Sequence, residues 1–585
     1  MPVYPGARRI TALSSPTPIF PAALQARGEP NHVGERSVPE ITRFCIIRSG
    51  EGPRLKQLPE ERPSETPLTV GYIGVKLRSM RIGIDFGTTR VVVSAADRGN
   101  YPLVHFETPD GQTRDWFPSV AAVKGSEHLY GWEAVAVQGD EDWTFFRSLK
   151  RLLRAAGPHT ELRVGAQTLP LRLLMAEMMV SLRTLLLHQS NLGADPAEPL
   201  EVMIGVPANA NSNQRFLTEE AAQEAGFTVL GVVNEPSAAA IEFAYRNSAE
   251  RKNRAGSSLL VYDLGGGTFD VSLVTLGETE HTVEASDGIP HLGGDDFDEI
   301  LADLALEFAP PGPSLTAFER RLLLEECREK KESLNPNTRK VAIDLERVRP
   351  AWEQVTLAVD TYYERCRPLI ESTRTVVENL LAAHPGLSLD TLYVTGGGSE
   401  LPPVARILRE TFGRKVRRSA YMRSAGAIGL AIRAAAAADR LFDQFNQYFG
   451  MWREADSGGN IVFELIFPRG VRLPAPDQPP LHLERVYQPV HNIGHFRYLE
   501  CSRLDDCGQP IGEITNWEQI QFPFDPALWT CNDLAAEPVR PLPVPNGLTV
   551  REEYTCDAGG NLKVRISTAP YGNTREYSIG QLNRT

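Results

Sequence analysis

Hydrophobic and polar positions follow two different patterns along the chain. Between residues 80 and 438, short apolar runs typical of strands alternate with longer segments of helical periodicity, which predicts an α/β architecture. Beyond residue 449, short alternating segments are separated by Pro and Gly, a pattern typical of a small β-sandwich. The sequence therefore predicts an α/β domain over 80–438, a linker over 439–448 and a β-sandwich domain over 449–585.

The segment before Met80 differs from the rest of the chain. Residues 1–79 are rich in proline, show little periodicity and carry a small excess of positive charge. Met80 stands directly before a strong strand pattern. Residues 1–79 are therefore predicted to be either a disordered N-terminal extension or the product of an upstream start-site error.

One pattern occurs twice within the α/β region. An apolar strand ends in Asp85 and is followed by a Gly-Thr turn and a second strand, and the same plan recurs at Asp263. Each copy predicts a hairpin with a polar tip, and the repeat implies two related lobes that face each other across a cleft. We expect a two-lobed α/β domain followed by the small sandwich.

The hairpin tips carry groups suited to a phosphate chain. Glycine turns let successive backbone N–H groups converge on one point, and threonine hydroxyls add donors. Asp85, Asp263 and Asp270 supply hard oxygen ligands for magnesium or its waters. A P-loop is excluded because the chain contains no Gly-Lys dipeptide, and the kinase-like triplet at 85–87 lacks the other kinase motifs. The predicted ligand is a magnesium nucleotide.

Composition and charge narrow the partners and the compartment. The chain has 61 Lys and Arg against 74 Asp and Glu, a formal net charge of −13, which argues against nucleic acid as a partner. Charges interrupt the apolar segments before they reach the ~18 residues that a membrane span needs, so no membrane partner is expected. Seven scattered cysteines do not suggest a disulfide framework, and the cytoplasm is the expected location.

The motifs of the α/β region resemble those of the 70-kilodalton heat-shock protein (DnaK-type) chaperone family, within the actin-like ATPase superfamily. The most specific matches are Asn-Glu-Pro-Ser-Ala-Ala-Ala at 234–240 and Asp-Leu-Gly-Gly-Gly-Thr-Phe-Asp at 263–270. The resemblance implies an ATP-hydrolysing chaperone that uses ATP and Mg and whose nucleotide state controls polypeptide binding. Further matches follow in family order at 82–89, 149–152, 206–209, 225–227, 291–298 and 396–402.

The resemblance also implies a role for each matching residue. Lys150 would orient the attacking water, although a solvated helix charge is the alternative, and Asp85 and Asp263 would hold the magnesium through water. Glu235 and Thr268 would couple γ-phosphate sensing to lobe rotation. The implied catalytic residues are Lys150, Glu235, Thr268, Asp85, Asp263 and Asp270. The implied nucleotide-binding residues are Gly87, Thr88, Thr89, Gly265, Gly266, Gly267, Gly294, Lys331, Gly396, Gly397 and Gly398.

The adenine side departs from the family pattern. Two arginines commonly flank adenine in the family, and Glu332 and Glu400 stand in their places here. Arg423 replaces an acid near the purine, and Arg90 replaces the tyrosine that follows the threonine pair. Glu400 and Arg423 form an exchanged ion pair, or these polar positions simply vary. In both cases the phosphate site is intact while the preference for adenine stays open.

The C-terminal region aligns weakly with the peptide-binding β-sandwich of the family. The family's helical lid is not expected here, because the chain stops shortly after the last predicted strand, and clients should therefore exchange quickly. The apolar residues of the linker are expected to dock on the ATPase domain. The implied partners are unfolded or exposed apolar polypeptide, a J-domain co-chaperone and a nucleotide exchange factor.

Two groups of residues in the sandwich region allow alternatives. Four cysteines lack the spacing of a zinc site and are expected to be buried free thiols. Four aromatic residues either line a peptide groove or fill the core. The cysteines are Cys501, Cys507, Cys531 and Cys556, and the aromatic residues are Trp517, Phe522, Phe524 and Trp529.

Two alternative functions stay open at this stage. If Glu332, Glu400 and Arg423 prevent nucleotide binding, the chain is a catalytically weak or inactive scaffold with a dedicated protein partner. A sugar kinase or a filament-forming actin-like protein is the second alternative. The specific strings at 234–240 and 263–270, together with the appended sandwich, favour the chaperone.

Overall fold

A computed structural model describes residues 79–578, except 166, 249–255, 436–439, 456–459, 476, 518, 532 and 544–546. The prediction for residues 1–79 thus lies outside the described residues, apart from Ser79. A two-lobed α/β region is followed by two packed antiparallel sheets, which confirms the predicted fold class. The boundaries at 438/439 and 448/449 stay predictions.

The first lobe is built on a mixed sheet with the order β12-β11-β1-β2-β5. β1 and β2 form an antiparallel hairpin, and β11 pairs with β1 in parallel. Helix α4 begins at a capping box between Asn211 and Gln214, which satisfies backbone N–H groups of its first turn. The strands are β1 (Met80–Phe86), β2 (Arg90–Ala95), β3 (Phe106–Glu107), β4 (Thr113–Arg114), β5 (Phe117–Pro118), β6 (Ala121–Lys124), β7 (Glu127–Tyr130), β8 (Thr144–Phe146), β9 (Glu161–Val164), β10 (Gln167–Pro170), β11 (Leu200–Val206) and β12 (Thr228–Asn234). The helices are α1 (Trp132–Ala136), α2 (Leu149–Leu152), α3 (Leu171–His188), α4 (Ser212–Glu224) and α5 (Glu235–Arg246).

The second lobe repeats this plan. Its sheet has the order β19-β18-β13-β14-β15-β20, in which β13 and β14 form the central hairpin and β18 pairs with β13 in parallel. The two predicted hairpins and the two related lobes are therefore confirmed. The strands are β13 (Ser257–Leu264), β14 (Phe269–Leu276), β15 (Glu280–Ile289), β16 (Lys340–Ile343), β17 (Val355–Ala358), β18 (Leu389–Thr395), β19 (Val416–Arg418) and β20 (Arg440–Phe442). The helices are α6 (Gly294–Leu306), α7 (Ala317–Glu332), α8 (Val359–Ala383), α9 (Pro402–Phe412) and α10 (Ala425–Ala434).

The sandwich packs two sheets over an aromatic core. One sheet has the order β22-β21-β24-β25, with β26 also paired to β24, and the other has the order β23-β27-β28-β29. Inward positions alternate along β27 and β28, as half-buried strands require. The strands are β21 (Tyr448–Ala455), β22 (Asn460–Phe467), β23 (Leu481–Tyr487), β24 (Ile493–Leu504), β25 (Pro510–Asn516), β26 (Ile520–Pro523), β27 (Thr549–Cys556), β28 (Leu562–Ala569) and β29 (Thr574–Ser578).

The aromatic residues and cysteines of the sandwich divide between core and surface. Trp517 and Phe522 are buried in the core, so the groove interpretation is wrong for them, whereas Phe524 is buried and also lines a surface groove of the sandwich. Trp529 instead contacts Tyr571 near the surface. The four cysteines also differ in exposure. Cys501 and Cys556 are buried free thiols as expected, and Cys531 is half-buried. Cys507 is exposed because it lies in the turn after β24.

The linker lies along the second lobe. β20 pairs in parallel with the outer edge of β15, and Leu441 and Phe442 are buried. Asp443 then accepts hydrogen bonds from Asn234 Nδ2 at 2.7 Å and from Ser237 Oγ at 3.2 Å, beside the start of α5. The expected docking of the apolar linker residues is confirmed.

The sandwich contacts the first lobe at the start of α4. Glu500 is buried and accepts hydrogen bonds from the backbone N–H of Ser212 at 2.9 Å and from the Ser212 hydroxyl. Arg215, also buried, donates to the carbonyl oxygen of Gly559 at 3.0 Å. A carboxylate at a helix N terminus is favoured by the exposed N–H groups there. This contact therefore couples a buried carboxyl group of the sandwich to the lobe.

The Glu500 contact should depend on pH. Burial raises the pKa of Glu500, although the hydrogen bonds from Ser212 and the charge of Arg215 act against the shift. The pKa of this carboxyl is higher when the sandwich contacts the lobe than when the two are apart, so protonation favours the contact. The contact is therefore strongest at low pH and weakens as pH rises through the raised pKa. We expect protease cleavage of the linker to accelerate with rising pH, and Glu500→Gln to remove that dependence.

The matched control is Glu454→Gln, a change at an exposed carboxyl of the same sandwich. This variant should keep the pH dependence of the wild type. Equal pH profiles for Glu500→Gln and the wild type would contradict the prediction.

Candidate nucleotide site

The two hairpin tips meet in a cleft between the lobes. The cleft brings together nearly all of the residues that the sequence predicted, with two exceptions. Gly267 lies in the same tip but outside the lining, and Asp270 lines a smaller adjoining chamber. The predicted residues that line the cleft are Asp85, Gly87, Thr88, Thr89, Lys150, Glu235, Asp263, Gly265, Gly266, Thr268, Gly294, Lys331, Gly396, Gly397 and Gly398.

The glycine tip of the second lobe approaches the threonine tip of the first. A Cβ atom on Gly266 would lie 2.6 Å from Thr89 Oγ1, and one on Gly267 would lie 2.9 Å from Thr88 Oγ1. The N–H of Gly265 donates to the carbonyl oxygen of Thr268 at 2.9 Å and closes the turn. Glycine is therefore required at these two positions, because a side chain would collide with the threonine tip. Both tips direct backbone N–H and hydroxyl donors into the same space.

A buried cluster of charges lies beneath the tips. Lys150 is 4% exposed and forms an ion pair with Glu235. Burial acts to lower the pKa of Lys150, but the charges of Glu235, Asp85 and Asp270 raise it overall. The lysine thus stays charged, and the alternative of a solvated helix charge is wrong.

The carboxylates of the cluster are hard to ionise together. Burial, followed by the charge of Glu235, raises the pKa of Asp85 to about 7 and that of Asp270 to about 6, while Lys150 acts against both shifts. The pKa of Asp263 is raised well above its ordinary value by burial and by the three neighbouring carboxylates. Four carboxylates thus face one lysine, and an added cation would relieve their repulsion.

Magnesium fits this donor set when it is held through water. The described ranges contain no group of three or more His, Cys, Asp or Glu side chains arranged to bind a metal ion directly. Mg²⁺ commonly keeps several water ligands and takes one or two carboxylates together with substrate phosphates. Asp85 and Asp263, at the ends of β1 and β13, are placed to accept hydrogen bonds from such waters.

The base side of the cleft holds a network of four charged residues. Arg423 forms an ion pair with Glu400, which is the exchanged ion pair of the sequence analysis. Arg423 also donates a hydrogen bond to Glu332 at 3.2 Å. Glu332 in turn accepts from Arg90 at 2.5 Å, which joins α7 of the second lobe to β2 of the first. The Arg90 guanidinium lies 4.5 Å from the ring centroid of Trp116, a contact that the sequence did not indicate.

Two basic residues organise the segments around the phosphate end. Lys331 donates to the carbonyl oxygen of Gly294 at 2.5 Å and pairs with Asp298 at 2.7 Å, so it supports the start of α6. Arg151 donates to the carbonyl oxygen of Gly267 at 3.0 Å and to Asp296 at 3.0 Å. Arg151 was not among the predicted site residues, although it follows Lys150 in the same matching motif.

The base-side network should affect ligand binding more than folding. Its side chains are about a third exposed, and an exposed ion pair contributes about 1 kcal/mol or less to stability. We expect Arg423→Gln to leave the melting temperature nearly unchanged but to weaken Mg-ATP binding about 3–10-fold, because Glu332 and Glu400 would then face an anionic ligand without their shared cation. Competition against a fluorescent nucleotide measures the affinity.

Arg374→Gln is the control for that change, since it removes an exposed ion pair with Glu378 on α8. This variant should bind Mg-ATP as the wild type does. An unchanged affinity in Arg423→Gln would show that the network does not take part in binding.

Comparison with known proteins identifies relatives of this chain. The model of the family described as Hsp70 protein matches residues 189–441. The chain is 31% identical over 356 residues to a Chaperone protein HscA homolog of Burkholderia multivorans, which covers 58% of this chain and 55% of the relative. It is 30% identical over 417 residues to Chaperone protein DnaK of Thermotoga petrophila, covering 67% of this chain and 66% of the relative.

Other relatives give the same picture. Chaperone protein DnaK of Deinococcus deserti is 30% identical over 391 residues, covering 60% of this chain and 59% of the relative. The chain thus spans between 55% and 66% of the lengths of these curated relatives. Among the residues with described structure, no helix is both long and apolar enough to cross a membrane.

Proposed function

Because the chain belongs to the Hsp70 family, we propose that it binds ATP with magnesium, hydrolyses it, and uses its nucleotide state to control the binding of polypeptide by the sandwich. The observation that carries the proposal is the buried Lys150–Glu235 pair, which lies among Asp85, Asp263 and Asp270 below two glycine and threonine tips. Charge neutralisation and a positioned water are the main requirements of phosphoryl transfer.

In the proposed reaction a water oxygen forms a bond to the γ-phosphorus, while the bond from that phosphorus to the β–γ bridging oxygen breaks. ADP, inorganic phosphate and a proton are the products. Lys150 orients the water, and Asp270, which accepts from the N–H of Ala208 at 2.9 Å, lies beside it. Thr268 donates near the γ-phosphate. Bound magnesium, held through water by Asp85 and Asp263, would neutralise charge on the phosphate oxygens.

A continuous set of contacts supports coupling of this site to the linker. Glu235 pairs with Lys150 at the site and is the first residue of α5. The preceding residue, Asn234, donates to Asp443 of the linker region and accepts from Arg215, which contacts the sandwich. Movement of Glu235 on loss of the γ-phosphate would therefore act directly on the linker and on the sandwich contact.

The surface of the sandwich supports a polypeptide client. A groove on the sandwich is lined by residues of β21, β22, β23 and β24, among them Trp452, Tyr487 and Phe496. The exposed side chains of Ile461 and Val486 also line it. We propose unfolded or exposed apolar polypeptide as the client, a J-domain protein and a nucleotide exchange factor as co-chaperones, and the cytoplasm as the compartment.

Single-turnover cleavage of ATP by the full chain with magnesium tests the proposed function. Rapid quenching counts the phosphate formed, and a binding titration of the same sample reports the affinity. We expect cleavage in the wild type and its loss in Thr268→Ala with little change in binding. Binding without cleavage in the wild type, or no binding, would overturn the proposal in favour of a scaffold with an ATPase fold.

A further inference from the structure

A strongly basic surface lies at one end of the second lobe. Between residues 402 and 418 the chain has six Lys and Arg and one Glu, although its formal net charge is −13. This segment runs through α9, the short turn Gly413–Lys415 and β19. All six cations are exposed, and together they form what we call the basic surface: Arg406, Arg409, Arg414, Lys415, Arg417 and Arg418.

The basic surface has no charge partners of its own. In the part of the chain that the structure describes, none of its six side chains forms an ion pair or a side-chain hydrogen bond. Two carboxylates of the same lobe lie within electrostatic range of it but pair with other arginines, Glu364 with Arg367 at 3.1 Å and Glu400 with Arg423. Unpaired like charges that lie together favour an anionic ligand.

The basic surface also includes a sheet edge. β19 is the outermost strand of the sheet in the second lobe and pairs in parallel with β18. Over the described ranges, no strand pairs with the outer side of β19. Val416 of this strand is buried, while Arg417 and Arg418 are exposed. The N–H and C=O groups of such an edge can pair with an extended polypeptide.

We propose that the basic surface binds an extended acidic segment of a partner protein, which adds as a strand to the edge of β19. Side chains of neighbouring strands interact, so the arginines at this edge disfavour a basic strand and favour an acidic one. A nucleic acid duplex or an anionic membrane extends beyond the basic surface and would meet the acidic remainder of the chain. A short acidic segment avoids that repulsion.

This interaction is separate from the proposed function. None of the six cations lines the nucleotide cleft or the groove of the sandwich. Binding at the basic surface therefore requires neither nucleotide nor hydrolysis, and it is measured with the full chain in the absence of both. A protein that cleaves no ATP would still give a result in this experiment.

Fluorescence anisotropy of a labelled peptide in which Glu alternates with Thr tests the proposal. We expect binding that weakens about tenfold or more between ~0.01 M and ~1 M salt, because the Debye length falls from ~30 Å to ~3 Å. A peptide with Gln in place of Glu should not bind. The Glu peptide with every backbone N–H methylated keeps its charge but cannot donate to the strand edge, so it should bind several-fold more weakly.

Charge reversal within the basic surface tests its residues. The double variant Arg414→Glu, Arg417→Glu should weaken binding of the Glu peptide about tenfold or more, because like charges then face each other. Its melting temperature should not fall, since the change removes no internal ion pair and relieves repulsion among the cations. Arg163→Glu, at an exposed position of β9 in the first lobe, is the control and should bind within about twofold of the wild type.

Several outcomes would overturn the proposal. Wild-type affinity in the double variant, or an equal loss in Arg163→Glu, would show that the basic surface is not the site. Equal binding of the methylated peptide would exclude the addition of a strand. Tighter binding of an oligothymidylate, or of phosphatidylserine vesicles, than of the Glu peptide would assign the surface to nucleic acid or to a membrane instead.

Discussion

Replacing Lys150 with Ala should lower the single-turnover rate of ATP cleavage at least about 100-fold, since the loss of one preorganised electrostatic group at a reacting centre commonly costs 10²–10³ in rate. Lys150 is buried, pairs with Glu235 and lies beside Asp85 and Asp270. The variant removes the one lysine of this cluster and leaves its carboxylates to repel one another and the anionic γ-phosphate. Rapid-quench cleavage at saturating Mg-ATP measures the effect.

Folding must be measured in the same variant. Removing one partner of a buried ion pair costs about 3–5 kcal/mol, so the melting temperature without nucleotide should fall clearly. Lys124→Ala is the control, because Lys124 forms an exposed ion pair with Asp142 and should change neither rate nor melting temperature. A cleavage rate within tenfold of the wild type in folded Lys150→Ala would show that Lys150 does not position the water.

Gly396→Ala should abolish tight nucleotide binding, with an affinity loss of at least about 100-fold. Gly396 has φ +85°, which disfavours a side chain, and an added Cβ would overlap Asp263 Oδ1 and the carbonyl oxygen of Leu264. Since the N–H of Gly396 donates to the carbonyl oxygen of Met422 at 2.7 Å, the segment cannot simply move aside. Asp263 must therefore leave its place at the cleft.

Gly413→Ala separates the two causes of this effect. Gly413 also has positive φ, at +58°, but an added Cβ there would meet no heavy atom within 4 Å. It should cost only the ~1–2 kcal/mol of left-handed strain and leave nucleotide affinity unchanged. Titration of both variants with fluorescent Mg-ADP is the measurement. Equal affinities in the two variants would mean that the overlap with Asp263 has no consequence.

The hairpin tips were predictable because their chemistry is local. Asp85 and Asp263 each end an apolar strand, and the glycine turns that follow leave few alternatives to a tight hairpin. The repeat of the plan then implies that the tips face each other, and the structure brings both into one cleft. Spacing along the chain was sufficient here, because each tip is formed by consecutive residues.

The base-side network was only partly predictable. An ion pair between Arg423 and Glu400 was one of two interpretations of their exchanged positions, but Arg90 and Glu332 are 242 residues apart and come from different lobes. The contact of Arg90 with Trp116 likewise depends on how β2 and the segment before β5 are folded together. Alternation of polar and apolar positions carries no information about such pairs.

Binary patterning also fails for charges that are buried in pairs. Glu552 is fully buried within β27, where it accepts from Arg453 at 2.8 Å and from the Tyr554 hydroxyl at 2.5 Å. A glutamate in an alternating strand is expected to face solvent. Only the tertiary structure shows that Arg453 of the opposite sheet compensates its charge.

The linker strand has a further consequence for association. β20 covers the outer edge of β15 at residues 280–282 with parallel pairing. When the linker leaves, the N–H and C=O groups of that edge lose their partners, and an exposed edge is a template for any extended chain. The linker of a second molecule has the same sequence and can occupy the place. Self-association through exchanged linkers would then show directly that the linker had left the edge of β15.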